Sequence, residues 1–134
     1  MFPEKVCLVA KITRETSYEY QVPLKEWFKS FHPDFLVYDF DNFSEAMVVD
    51  YALQLVNNAQ QVVLILQAEP DSPLGGILKL MPIVIRQKQR VSVVFDGAHV
   101  AIERMLKPLG SVARNVDEDT LKSVMEEIKS ANQS

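Results

Sequence analysis

Five short apolar runs recur along the chain, VCLVAKI (6–12), FLVYDF (35–40), VVLIL (62–66), VSVVF (91–95) and SVARNV (111–116), with amphipathic stretches between and after them. No other feature constrains the fold as strongly. The first, third and fourth runs are near-continuously apolar, whereas a sheet with one wet face alternates apolar with polar side chains. Both faces are therefore expected to be covered by helices, over a mostly parallel sheet. With right-handed crossovers this predicts an α/β fold, a three-layer α/β/α sandwich around a five-stranded sheet of flavodoxin-like order 2-1-3-4-5.

The intervening segments read as helices. The first is expected from Pro23, burying Leu24, Trp27, Phe28 and Phe31 until His32-Pro33-Asp34 ends it. The second opens on Ser44 as N-cap and runs through Met47, Val48, Tyr51, Ala52, Leu55, Val56 and Ala59. In the third, Ser72 is read as the cap with Pro73 at the first position, Gly75-Gly76 falls in the first turn, and Pro82 implies a kink near 78–82. The fourth spans about Ala98 to Lys107, with Ala98, Ile102, Met105 and Leu106 inward. A fifth starts at Asp117 and buries Leu121, Val124, Met125 and Ile128, leaving 131–134 as a frayed tail. With 134 residues, no linker and no internal repeat, residues 1–134 are read as one domain with one core.

A net charge of -4 argues against nucleic acid, which requires clustered Lys and Arg. Arg86, Lys88 and Arg90 read as cations closing a helix rather than as a phosphate groove. Cys7, the single cysteine, lies in an apolar strand, so a buried thiol is expected and no disulfide or cysteine-based zinc site within one chain. The N-terminus has no signal-peptide pattern. The most apolar stretch, Leu74 to Ile85, contains Lys79 and Pro82 and is too short to span a bilayer. A cytoplasmic protein without membrane contact is the expectation.

In an open α/β sheet ligands bind beyond the carboxyl ends of the strands, where the strand order reverses. The candidate ligand-binding residues there are Thr13, Arg14, Thr16, Asp39, Asp41, Glu69, Ser72, Asp96 and His99. The loop after strand one, residues 13–20, is long, polar and aromatic, but it has no glycine and carries acidic residues, which disfavours a flavin phosphate. The loop after strand three offers Gly75-Gly76 to a small anion, although helix capping accounts for it better. Asp39 and Asp41 share a face and are chemically suited to Mg²⁺ with Glu69 or Asp96, but turn chemistry explains them better. His99 has the position of an acid or base, with Asp96 or Glu69 to orient it. No nucleophile motif accompanies it, so no catalytic residue, metal or cofactor is assigned.

Two signalling families share this architecture. A receiver domain would require acidic residues after strand one, an Asp after strand three and a Lys after strand five, where this chain has Lys11-Ile12-Thr13, Gln67-Ala68-Glu69 and Arg114-Asn115. The segment from Phe40 to Ser72 resembles a TIR (Toll/interleukin-1 receptor) domain: an acidic turn, a helix rich in Ala, Leu and Val, then VVLILQAEPDS. Members of that family that cleave NAD carry a catalytic Glu in the helix after the third strand. Here Ser72 is followed by Ile77, Leu78 and Lys79, with no Glu until Glu103. The resemblance thus implies protein interaction without NAD hydrolysis.

Helix two supports the same expectation, because its apolar arc is wider than one sheet face requires, with Met47, Tyr51 and Leu53 at the margins. A protein partner, a homodimer through those three residues, or burial between flanking helices would each account for it. The leading expectation is a non-catalytic interaction domain, and the alternative is a small-ligand or nucleotide-binding enzyme at the strand ends.

Overall fold

The computed structural model describes residues 3–14, 29–30, 32–110, 112–114 and 122–126. The chain is α/β. Its parallel sheet contains β1 (Lys5–Ile12), β2 (Leu36–Asp41), β3 (Gln61–Ala68) and β4 (Val91–Gly97) in the order β2-β1-β3-β4. Beyond β4, Ala113–Arg114 pairs parallel with Val94 and Phe95. These four strands stand in the order expected for them, 2-1-3-4.

Burial explains why the strands are apolar on both faces. On one face, Val6, Leu8, Ala10 and Ile12 of β1 meet Val62, Leu64 and Leu66 of β3 and Val91, Val93 and Phe95 of β4 in a single core. Three helices close that core: α1 (Ala46–Asn58) through Ala52, Leu55 and Val56, α2 (Ile77–Arg86) through Ile77, Leu80, Met81 and Val84, and α3 (Val100–Leu106) through Ile102 and Leu106. On the other face, Cys7, Val9, Val37, Val63, Ile65 and Val94 pack with Phe35, Val124 and Met125. Val62 to Leu66 of β3 are fully buried. Each such side chain contributes about 1.5–3 kcal/mol relative to exposure.

Three helix starts differ from the sequence reading. Ser44 does not cap α1: its Oγ accepts from the Asp41 amide at 3.0 Å, so it belongs to the turn after β2. The N-cap is Glu45, which makes no side-chain cap bond. Ser72 does not cap α2, because its hydroxyl donates to the Glu69 carbonyl at 2.9 Å. That helix starts four residues beyond Pro73, since Gly75 at φ 53° cannot enter a right-handed helix, and Gly76 is its N-cap. Ala98 is exposed rather than inward, and α3 starts at Val100 with His99 as N-cap. The helix then tightens into a 3₁₀ turn at Lys107–Leu109. Helix α2 runs through the exposed Pro82 to Arg86.

The expected helix one lies outside the described residues except at 29–30, as do Asp117, Leu121 and Ile128 of the fifth. His32 occupies the turn before β2 as expected, with its carbonyl accepting from the Phe35 amide at 3.1 Å. Beside it Lys5 pairs with Asp34 at 2.8 Å, and that hydrogen bond holds the exposed Asp34 carboxyl below its usual range. No helix among the described residues is long and apolar enough to cross a membrane.

Candidate functional site

The carboxyl ends of β1, β2, β3 and β4 bring together three loops and the start of α3. The Glu69 amide donates to the Ile12 carbonyl at 2.9 Å, so the loops after β1 and β3 are neighbours. Arg14 strengthens that contact, its Nε donating to the Pro70 carbonyl at 2.9 Å and lying 3.9 Å from a Glu69 carboxylate oxygen. Among the described residues, both side-chain partners of Arg14 belong to the same loop.

Asn42 holds the centre. Its Oδ1 accepts from the buried Thr13 amide at 3.1 Å, while its Nδ2 donates to the Thr13 carbonyl at 2.8 Å and to the Pro73 carbonyl. Its own amide donates to the Lys11 carbonyl at 3.1 Å. One side chain thus ties together the loops after β1, β2 and β3. Gly75 completes the fit, since a Cβ there would lie 2.1 Å from the Asn42 carbonyl oxygen. A Cβ on Gly76 would strike Val49 of α1 at 2.5 Å. The Gly-Gly pair is therefore required by close packing, and its space is filled by protein.

His99 is buried and engaged through both ring nitrogens. Nδ1 faces the Ile102 amide at 3.4 Å, a long cap contact in which it acts as acceptor, and Nε2 lies 2.7 Å from the Ser72 carbonyl. An acceptor at Nδ1 and a donor at Nε2 correspond to the neutral Nε2–H tautomer. Ser72 is likewise buried, with its hydroxyl turned to Glu69. His99 and Ser72 join the start of α3 to the loop before α2.

The carboxylates lie on the opposite face of the sheet. Strand register sets Asp41 beside Lys11, Lys11 beside Gln67 and Gln67 beside Asp96, with Asp39 one step below, beside Val9. Asp39 and Asp41 do share a face, as their spacing requires. Asp41 and Asp96, however, are three strand spacings apart, about 14 Å, too far to ligate one ion. Asp41 is also engaged in a turn, its Oδ1 accepting from the Phe43 amide at 2.8 Å and the Ser44 hydroxyl at 3.2 Å. Among the described residues no three His, Cys, Asp or Glu side chains cluster as metal ligands. Gln67 Oε1 in this row is buried without a hydrogen-bond partner.

Thr16 lies outside the described residues. Of the other candidates, Thr13, Ser72 and His99 converge through the loop network, Arg14 and Glu69 meet at its rim, and Asp39, Asp41 and Asp96 belong to the second face. Sequence reasoning missed Asn42 as the hub, although an Asn directly after a strand-end Asp signals a polar side chain turned toward backbone.

The margins of α1 differ from one another. Leu53 is half-buried and packs on the helix-side core, whereas Met47 is 77% exposed and Tyr51 40%. Tyr51 stands edge-on to Tyr38 of β2 at 5.1 Å, and the Tyr38 hydroxyl donates to the Val48 carbonyl at 3.1 Å. Burial, then the neighbouring Tyr51 and Asp39, raises the Tyr38 phenol above its usual range.

No family model, curated protein or solved structure matches the chain.

Proposed function

We propose that the protein is a non-catalytic, cytoplasmic α/β domain that acts by protein contact, with the flank of α1 as its contact surface. The observation that carries this reading is the exposure of Met47 and Tyr51 on the outer flank of α1, with Phe43 just before it, on the side away from the buried Val49, Ala52, Leu55 and Val56. It is supported by the use of Thr13, Asn42, Ser72 and His99 in bonds between loops, which commits their polar atoms to architecture. The TIR-like segment from Phe40 to Ser72 spans the same surface. The complete architecture in this reading is the five-stranded, three-layer sandwich of order 2-1-3-4-5, with Ala113–Arg114 in the fifth strand and Val124 and Met125 in the second helical layer.

A second reading, a small ligand or nucleotide at the strand ends, is favoured by one observation, the unpartnered Gln67 Oε1 in the Lys11 and Asp96 row. Native mass spectrometry separates the two. The interaction reading expects no retained small molecule and no complex with ATP, NAD, FMN or Mg²⁺, and a stoichiometric ligand would overturn it. If the partner is a second copy, Tyr51→Asp should convert a dimer to a monomer with the fold intact.

A further inference from the structure

The sequence between Lys29 and Lys79 contains seven Asp or Glu and no Lys or Arg, so all fourteen basic residues lie in 1–29 and 79–134, together with the other eleven acidic ones. The charge-asymmetric stretch supplies β2, α1 and β3. Because β3 is central and buried, its surface is mostly the outer flank of α1 and the β2 edge. There the exposed Phe43, Met47 and Tyr51 lie among Glu45 and Asp50, both exposed, and the half-buried Asp41. Met47 and Tyr51, four residues apart, stand one above the other on α1, with Asp50 on the same outer side.

We propose that this flank docks a basic amphipathic segment of a different protein, an inference that rests on the interaction reading above. Charge complementarity selects this occupant. An apolar stripe flanked by the exposed Glu45 and Asp50 matches a helix with apolar anchors and Lys or Arg at its margins. A second copy fits poorly, because a twofold interface sets the same patch against itself and would bring the carboxylates of the two copies together with no Lys or Arg from the patch to offset them.

The test uses the full chain and a fluorescein-labelled amphipathic peptide of Leu and Lys, about 18 residues or five turns long. The same peptide with Glu in place of Lys is the control, and fluorescence anisotropy is the readout. The Lys peptide should bind and the Glu peptide should not. Binding should weaken several-fold between ~0.01 and ~0.15 M salt as the screening length falls from about 30 to about 8 Å. Asp50→Lys should weaken it about tenfold and Met47→Ser several-fold, whereas Glu126→Lys, an equal charge change at another exposed position, should have little effect. Circular dichroism should find all three variants folded. Equal loss with Glu126→Lys, equal binding of both peptides, or no binding of the Lys peptide would overturn the inference. A dimer in sedimentation equilibrium that Asp50→Lys or Met47→Ser dissociates would identify a second copy as the occupant, overturning the inference while leaving the interaction reading. A monomer that binds no Lys peptide would count against both.

Discussion

Asn42 shows how one polar side chain can hold several loops. Thr13 is buried and its backbone amide donates to the Asn42 carboxamide, so truncation would remove that acceptor. Asn42→Ala is expected to destabilise the chain by about 2–4 kcal/mol in urea unfolding, through the loss of its buried bonds to the Thr13 amide and to the Thr13 and Pro73 carbonyls. Asn42→Asp should be at least as damaging, because it keeps the acceptor but turns a carboxylate oxygen toward two carbonyl oxygens. Equal stability of wild type and Asn42→Asp would show that the Nδ2 bonds contribute nothing. The position of Asn42 after a strand-end Asp signals a bond to backbone but not to which backbone, since its partners lie 29 and 31 residues away. His99 illustrates the same limit. Its position at the strand ends is legible, but the occupation of both ring nitrogens depends on Ser72, 27 residues earlier.

Among the elements, α1 is informative at both its start and its flank. Its N-cap Glu45 has extended backbone, φ -64° and ψ 157°, with no side-chain bond to the first turn. A shorter carboxylate suits that geometry, so Glu45→Asp should stabilise the chain by about 0.5–1.5 kcal/mol in urea or thermal unfolding. The apolar arc of α1 was legible from its spacing, as was the burial of Ala52, Leu55 and Val56. Its division between core and surface was not. Val48 and Leu53 pack on the helix-side core, while Met47 and Tyr51 remain exposed. Helical spacing gives the angle of a side chain about the axis, whereas the neighbouring elements decide how far round that arc the core extends.

For the whole molecule, Cys7 links the core to pH. Burial in β1 pushes its thiol far above the usual range, so the folded chain keeps its proton in alkali while the unfolded chain loses it. The unfolded state then binds fewer protons than the folded one above the ordinary thiol pKa of about 8.5, and stability must fall as pH rises. From about pH 9 upward this group alone should remove up to about 1.4 kcal/mol per pH unit, and the raised Tyr38 phenol adds in the same direction above about pH 10. Urea unfolding at stepped pH checks the sign. Cys7→Ala should be less stable at neutral pH through its small cavity, yet its stability should fall less steeply between about pH 9 and 10. An unchanged slope would show that the thiol ionises in the folded chain.

The sequence by itself determined the α/β class, the positions of four strands, the three helices that cover one face of them and the burial of Cys7. These follow from periodicity and crossover handedness, which act over a few residues or apply to every chain of this kind. Tertiary structure decided where α1, α2 and α3 begin, because a turn bond claims Ser44 and Ser72 and positive φ at Gly75 keeps the chain out of the helix. It also decided that the Gly75-Gly76 pair is filled by Asn42 and Val49, that Asp41 and Asp96 stand three strand spacings apart, and that Met47 and Tyr51 stay exposed. Each depends on which distant segment arrives beside the residue. The strands brought the loops together, and the side chains of those loops then bonded mostly to loop backbone.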